Sequence, residues 1–313
     1  MQIFRGLSSP DTHPIALTIG NFDGLHLGHQ ALLNVLRDAA QARALPAAVM
    51  VFEPHPREFF SPQQAPARLT SLREKLELFA DMGLNRVHVC HFNRAFAQMS
   101  STDFAAALQE KLRAKCVLIG DDFRFGSGRK GDFSLMKEVG LQRGFEVQAM
   151  PSVRDASVRD DGVRISSTAV RAALAQGNLR MAQRYLGRNY SISGRVEHGN
   201  ALGKKLGFPT ANIQLKHNRP PLTGIFVVQA QGDDLPMMRG VASLGVRPTV
   251  QENGKPVLEV HLFDFAQQIY GKHLRVDFLH KLRDEEKYSD LEILARQIAL
   301  DVENARQWFL QND

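Results

Sequence analysis

The feature that most constrains this chain is a change of grammar past its middle. Over the first roughly 180 residues, short apolar runs alternate with helical periodicity. IALTIG, PAAVMVFEP, NRVHVCHF, CVLIG and FEVQAM read as strands. HQALLNVLRDAAQARA, LREKLELFADMG, STDFAAALQEKLRA and SLMKEVGLQRG read as helices, the second closed by Gly83 and the third capped by Ser101 or Thr102. Strands spaced by helices of about 10–15 residues predict βαβ units and a parallel sheet covered on both faces. From about Tyr190 the helical pattern stops. SISGRVEHG, GIFVVQAQG, MRGVASLGV, VLEVHLFDF and HLRVDFLHKL come next, separated by turn residues, as in sandwiches and small barrels. A helix, SDLEILARQIALDVENARQWFLQ, comes last. The expected class is therefore α/β plus all-β, with a boundary near 183–189.

Composition narrows the function. A chain of 313 residues has room for two domains. No apolar run approaches the ~18–20 residues of a membrane span. MQIFRGLSSPDTHP lacks the apolar core of a signal peptide. Cys90 and Cys116 are the only cysteines, so a disulfide framework and a four-thiolate zinc site are both excluded. These points give an expectation of a cytoplasmic protein without a membrane partner. The net charge of +6 is spread along the chain, which argues against a nucleic-acid partner. The sequence says nothing about oligomeric state.

The first candidate site lies in IGNFDGLHLGHQ. In a parallel sheet, ligands collect at the carboxyl ends of strands. Gly20, Gly24 and Gly28 permit tight turns and close backbone approach. The helix after them presents free N–H groups and a positive dipole end, which favour phosphate. His26 and His29 could then donate to a phosphoryl group; metal ligation or plain capping are the other readings of the pair. RISSTAVRAAL adds three hydroxyls, Ser166, Ser167 and Thr168, flanked by Arg164 and Arg171. That is more than an N-cap needs and makes a plausible phosphate clamp. After CVLIG, the segment GDDFRFGSGRKGD offers Asp122 and Arg124 as ligand contacts or as a solvated loop.

GNFDGLHLGH resembles the HxGH signature of the nucleotidyltransferase superfamily, and RISSTAVR its ISSTxxR signature. HxGH also occurs in class I aminoacyl-tRNA synthetases. Together with FEPHPREFF and IGDDFRFGSGRKGD, however, the pair resembles the bacterial bifunctional riboflavin kinase/FMN adenylyltransferases, the prokaryotic FAD synthetases. The resemblance implies a Rossmann-like FMN adenylyltransferase domain in residues 1–185 and a β-barrel riboflavin kinase domain in residues 186–313. It implies that Gly20, Asn21, Phe22, Asp23, Gly24, Gly28, Arg164, Ser166, Ser167, Thr168 and Arg171 bind ATP. His26 and His29 would be catalytic, and Asp122 and Arg124 would meet the flavin.

The second half carries the matching signature. In GNALGKKLGFPTANIQL, Gly203 and Gly207 flank Lys204 and Lys205, a flexible phosphate-friendly loop, and Pro209 stiffens the chain ahead of Thr210. Thr210 and Asn212, spaced i and i+2, face one side of an extended strand. Their oxygens suit Mg²⁺, with ATP phosphates completing the shell. Glu259 lies inside the apolar strand pattern VLEVHLFDF, on the alternating face that holds neither Leu258 nor Val260. The resemblance implies that it is the general base toward the riboflavin 5′-hydroxyl, the other reading being an outward-facing Glu on a half-exposed strand. In FLHKLRDEEKY the resemblance points to a segment over flavin and nucleotide, with Arg283 as its candidate contact. Two departures stand out. FAQQIYG lacks an acidic residue that family members often carry before Tyr-Gly, and GVASLGVRPT has Ser243 where many have Asn.

Overall fold

The computed structural model describes residues 1–7, 13–155, 162–199, 203, 206–216, 219–232, 234–246, 256–288 and 290–312. The chain forms two compact units, Met1–Pro66 with Leu72–Ser166, and Ala67–Ser71 with Ser167–Asp313.

In the first unit the order is β1 (Gln2–Arg5), β2 (Ile15–Ile19), α1 (Leu27–Ala42), β3 (Ala47–Glu53), α2 (Pro56–Phe60) and α3 (Leu72–Asp81). Then come β4 (Arg86–His91), α4 (Arg94–Gln98), α5 (Ser101–Glu110), β5 (Ala114–Gly120), α6 (Phe133–Arg143), β6 (Glu146–Met150) and the short pair β7 (Arg154–Asp155) and β8 (Val163–Arg164). Six strands form one parallel sheet in the order β1-β4-β3-β2-β5-β6. β2 is buried at all five positions because both faces are covered. Ile15, Leu17 and Ile19 feed a core with Phe104, Leu108, Met136 and Val139 of α5 and α6. Ala16 faces the other core, with Leu32, Leu33 and Leu36 of α1 and Phe79 of α3.

Two details differ from expectation. IALTIG is the second strand, because QIFR pairs in parallel with β4 at the sheet edge. Three of its four residues are exposed, so no burial alternation marks it. The cap of α5 is Ser100, whose Oγ accepts from the Asp103 N–H at 3.0 Å, rather than Ser101 or Thr102.

The second unit begins with α7 (Ser167–Ala175) and α8 (Leu179–Leu186). Its strands are β9 (Tyr190–Glu197), β10 (Ala211–Ile213), β11 (Gly224–Gly232), β12 (Leu235–Val246), β13 (Pro256–Leu262) and β14 (His273–Arg283), and helix α9 (Leu291–Asn312) comes after them. They close an antiparallel barrel in the order β10-β13-β12-β11-β14-β9, which leaves no open sheet edge. Phe226 and Phe278 meet edge to face with centroids 5.2 Å apart. Ile225, Val227, Val241 and Phe263 form an apolar cluster with Ala305 and Phe309 of α9. α8 packs on β9 and β14, so it belongs to this unit although its sequence reads as the end of the helical half.

Candidate active sites

The strand order explains why the first motif is where it is. From β2 the chain steps through β3 and β4 on one side, then through β5 and β6 on the other. The loop after β2 therefore opens at the switch point of the sheet, beside the loop after β5.

That loop is tightly built. Phe22, Gly24 and Leu25 all have positive φ, at 48°, 80° and 43°. Gly24 adopts this freely, whereas the two others are held by burial, at 0% and 2% exposure. His26 caps α1, its Nδ1 accepting from the His29 N–H at 3.4 Å. The two imidazoles stack, with centroids 3.7 Å apart and planes 20° apart. A side chain on Gly28 would press on the His26 ring at 3.1 Å, so glycine leaves that ring its room.

Burial holds the His29 imidazole well below the ordinary histidine pKa, and His26 and Lys75 push the same way. His29 is thus neutral at pH 7, with one ring nitrogen able to donate. His29 Nδ1 and Asn21 Oδ1 are buried without a hydrogen-bond partner. Buried polar atoms are normally paired, so both keep hydrogen-bonding capacity that the protein does not use. Among the described residues no group of three or more His, Cys, Asp or Glu side chains could hold a metal.

Arg164, Ile165 and Ser166 belong to the same unit. A Cβ on Gly28 would lie 3.5 Å from the Ile165 carbonyl, so the RISST segment runs against the histidine turn. Arg164 Nη2 donates to Asp122 Oδ2 at 2.5 Å, tying that segment to the loop after β5. Arg124 donates to Asp132 Oδ2 at 3.0 Å, and Asp132 caps α6. Two expected ligand contacts are thereby already ion-paired. Ser167 and Thr168 open α7, and Arg171 Nε donates to the Ala67 carbonyl at 2.6 Å.

Two features escaped the sequence reading. Lys75 is 4% exposed, and its Nζ donates to the Asn21 carbonyl at 2.7 Å. The signal was there: Leu72, Leu76 and Phe79 make an apolar helical stripe, and Lys75 stands on it. The second is an aromatic cluster. Phe92, just past β4, contacts Phe52, Phe59, Phe60 and Phe96 at centroid distances from 5.5 to 5.9 Å. Phe60 remains 64% exposed there.

The second site is set by barrel register. On β13, Leu258, Val260 and Leu262 are buried and Glu259 and His261 alternate with them, as expected for Glu259. Asn212 and Ser243 lie directly opposite Glu259 on the two neighbouring strands, so all three share one face. Ser243, where many family members have Asn, donates to Glu285 Oε1 at 3.1 Å.

Thr210 immediately precedes β10, and the chain before it folds back closely. A Cβ on Gly199 would overlap the Asn212 amide at 2.2 Å, and one on Gly203 would lie 3.3 Å from Thr210 Oγ1. Gly207 has φ 88°, which favours glycine. His261 Nδ1 donates to the Pro209 carbonyl at 2.8 Å, fixing this segment to the strand that carries Glu259. Lys204 and Lys205 lie outside the described residues.

Arg283, expected as a flavin contact, is ion-paired in the structure. It makes a two-pronged pair with Asp301 of α9 at 2.8 and 2.7 Å. Asp301 is 4% exposed, so the pair anchors the end of β14 to the helix.

Comparison with known proteins assigns both halves. The FAD synthetase family model matches residues 8–169, and the riboflavin kinase model matches residues 186–309. The bifunctional riboflavin kinase/FMN adenylyltransferase of Escherichia coli strain K12 is 44% identical, covering 99% of this chain and 98% of its own. The namesakes from Pseudomonas fluorescens and Haemophilus influenzae are 45% and 44% identical, covering 98% and 99% of this chain and 97% and 99% of their own. A crystal structure from Streptococcus pneumoniae, described as a macrolide-efflux protein, superposes with a TM-score of 0.81 at 30% identity, covering 98% of this chain and 100% of that one. With both domains present in order and relatives matched end to end, the chain belongs to the bifunctional riboflavin kinase/FMN adenylyltransferase family.

Proposed function

We propose that the chain makes FAD from riboflavin in two ATP-dependent steps at two separate sites, residues 1–185 forming the adenylyltransferase domain and residues 186–313 the kinase domain. In the kinase, Glu259 takes the proton from the riboflavin 5′-hydroxyl. The freed oxygen attacks the γ-phosphorus of ATP, the bond to ADP breaks, and FMN results. Gly203, Lys204, Lys205, Gly207 and Pro209 form the loop that carries the ATP phosphates. Thr210 and Asn212 carry hard oxygen donors that would suit Mg²⁺ held jointly with those phosphates. The ion would neutralise charge on the transferring phosphoryl group. Arg283, held in place by Asp301, is the flavin contact of its segment.

In the adenylyltransferase, an FMN phosphate oxygen attacks the α-phosphorus of a second ATP and pyrophosphate leaves. No protein nucleophile is needed. Neutral His29, with His26, donates to phosphate oxygens as charge develops on them. The turn through Gly20, Asn21, Phe22, Asp23, Gly24 and Gly28 seats the nucleotide. Arg164 and Ser166 hold the pyrophosphate, a role that extends along the same motif to Ser167, Thr168 and Arg171. The exposed ring of Phe60, packed edge-on against Phe59 and Phe92, offers an apolar contact to the isoalloxazine ring, and Asp122 and Arg124 are its polar flavin contacts. Its soluble substrates suit a cytoplasmic enzyme without a nucleic-acid or membrane partner, and among the described residues no helix is long and apolar enough to cross a membrane.

The observation that carries this reading is the pairing of a stacked histidine turn at a sheet's switch point with Asn212 opposite Glu259 on a barrel, in one chain. Incubation with riboflavin, ATP and Mg²⁺, with the flavins resolved by chromatography, tests it. FMN and then FAD are expected, and a lack of both products overturns it.

A further inference from the structure

We propose that Lys75 is a positioning residue for adenylyl transfer, which fixes the GNFDG turn through the Asn21 carbonyl and sets an ammonium group beside the stacked histidines. The inference rests on the adenylyltransferase reading of that turn.

The case starts from cost. Lys75 is 4% exposed on a helix whose neighbouring stripe is Leu72, Leu76 and Phe79. A Leu or Met there would continue the stripe, whereas a buried ammonium gives up its hydration. What it meets is the nucleotide turn: Nζ donates to the Asn21 carbonyl at 2.7 Å, across 54 positions of sequence. Phe79, one helical turn on, meets the next residue of the same loop, its ring standing edge-on to Phe22 at 5.6 Å. Helix α3 thus grips two consecutive loop residues, one by a charged hydrogen bond and one by an aromatic contact.

That grip falls where the backbone needs it. Phe22 and Leu25 both sit at positive φ, which side-chain-bearing residues hold only when their surroundings over-determine it. The Phe22 ring in turn packs on His29 at 5.0 Å. The ionisable groups acting on His29 are His26 from the same helix start and Lys75 from α3, and both oppose its protonation. Loss of Lys75 therefore loosens the turn and lets His29 protonate more readily, which changes its hydrogen-bond pattern.

The test uses the full chain with Lys75→Met and Lys75→Gln. FMN-to-FAD turnover, KM for FMN and riboflavin-to-FMN turnover are measured on one preparation. The His29 pKa is followed by NMR with labelled histidine. Lys75→Met should lower kcat for FAD formation about 100-fold with KM for FMN within about threefold. Lys75→Gln, whose amide still donates, should lose less. The His29 pKa should rise in both, and kinase turnover should stay at the wild-type rate. Three results overturn the proposal: more than half of kcat kept in Lys75→Met, a loss confined to KM, or an unmoved His29 pKa. Loss of the first unit's thermal transition in both variants also overturns it, since Lys75 is then needed only for folding. A wild-type chain that makes FMN but no FAD instead rejects the reading of the turn itself.

Discussion

The two sites are built in different ways. The first is a turn that crosses a sheet's switch point, with backbone at positive φ, stacked imidazoles and a buried lysine from a distant helix. The second is a rung of a barrel, in which Asn212, Glu259 and Ser243 share a face because ladder pairing puts them opposite one another. A turn of the first kind depends on charge and packing from other elements. A rung of the second kind depends on register, which any slip by one residue would invert. The chemistry proposed for them differs accordingly: stabilisation of phosphate charge by imidazole donors in one, proton removal by a carboxylate in the other.

If the sites are independent, mutations should separate them, and the largest effect tests the barrel. Glu259→Ala should reduce FMN formation by about 10³-fold while supplied FMN is still converted to FAD. Next comes His29→Ala, which should stop the pathway at FMN with a loss of about 10²-fold or more in FAD formation. Loss of both activities in either variant would break the comparison. Chromatographic resolution of FMN and FAD reads both.

A smaller effect concerns the two ties from α9 to the barrel. Asp301→Asn removes the charge that the largely buried Arg283 pairs with and should cost about 3 kcal/mol, read from urea unfolding of the second unit. Asp264→Asn breaks the exposed pair with Arg306 and should leave the midpoint unmoved. Equal effects would show that burial does not set the strength of these ties.

The smallest effect belongs to the first unit. Burial pushes the His88 imidazole down to about 4, and its ring stacks on Phe4 of the edge strand β1 at 5.1 Å. A folded pKa below the unfolded value leaves stability intact above about 6.5. It is lost as pH falls toward 4, because only the unfolded chain takes up the proton. The loss should be about 2 kcal/mol at pH 5. His88→Phe should flatten that pH dependence of the urea midpoint, and an unchanged slope would remove His88 from the account.

Much of this was legible in the sequence. β11 covers GIFVVQAQG residue for residue, since a short apolar run rich in β-branched and aromatic residues and bounded by glycines declares a buried strand. The positions of His26 and His29 at a helix start came from an apolar run ending in glycine. The QIFR strand was not legible, because an exposed edge strand is held by backbone hydrogen bonds that any sequence can make. Nor were the partners of Arg283 and Arg124, since an arginine's local context does not reveal which distant carboxylate it reaches.

What the sequence determined by itself is the order of two folds and the chemical types at each site, because periodicity and turn residues are local properties. The tertiary structure alone decided that Lys75 meets the Asn21 carbonyl, that Phe52, Phe59, Phe60 and Phe92 gather past the strand ends, and that Ser243 stands across from Glu259. Those juxtapositions are set by sheet order and barrel register, which bring together residues that no local pattern connects.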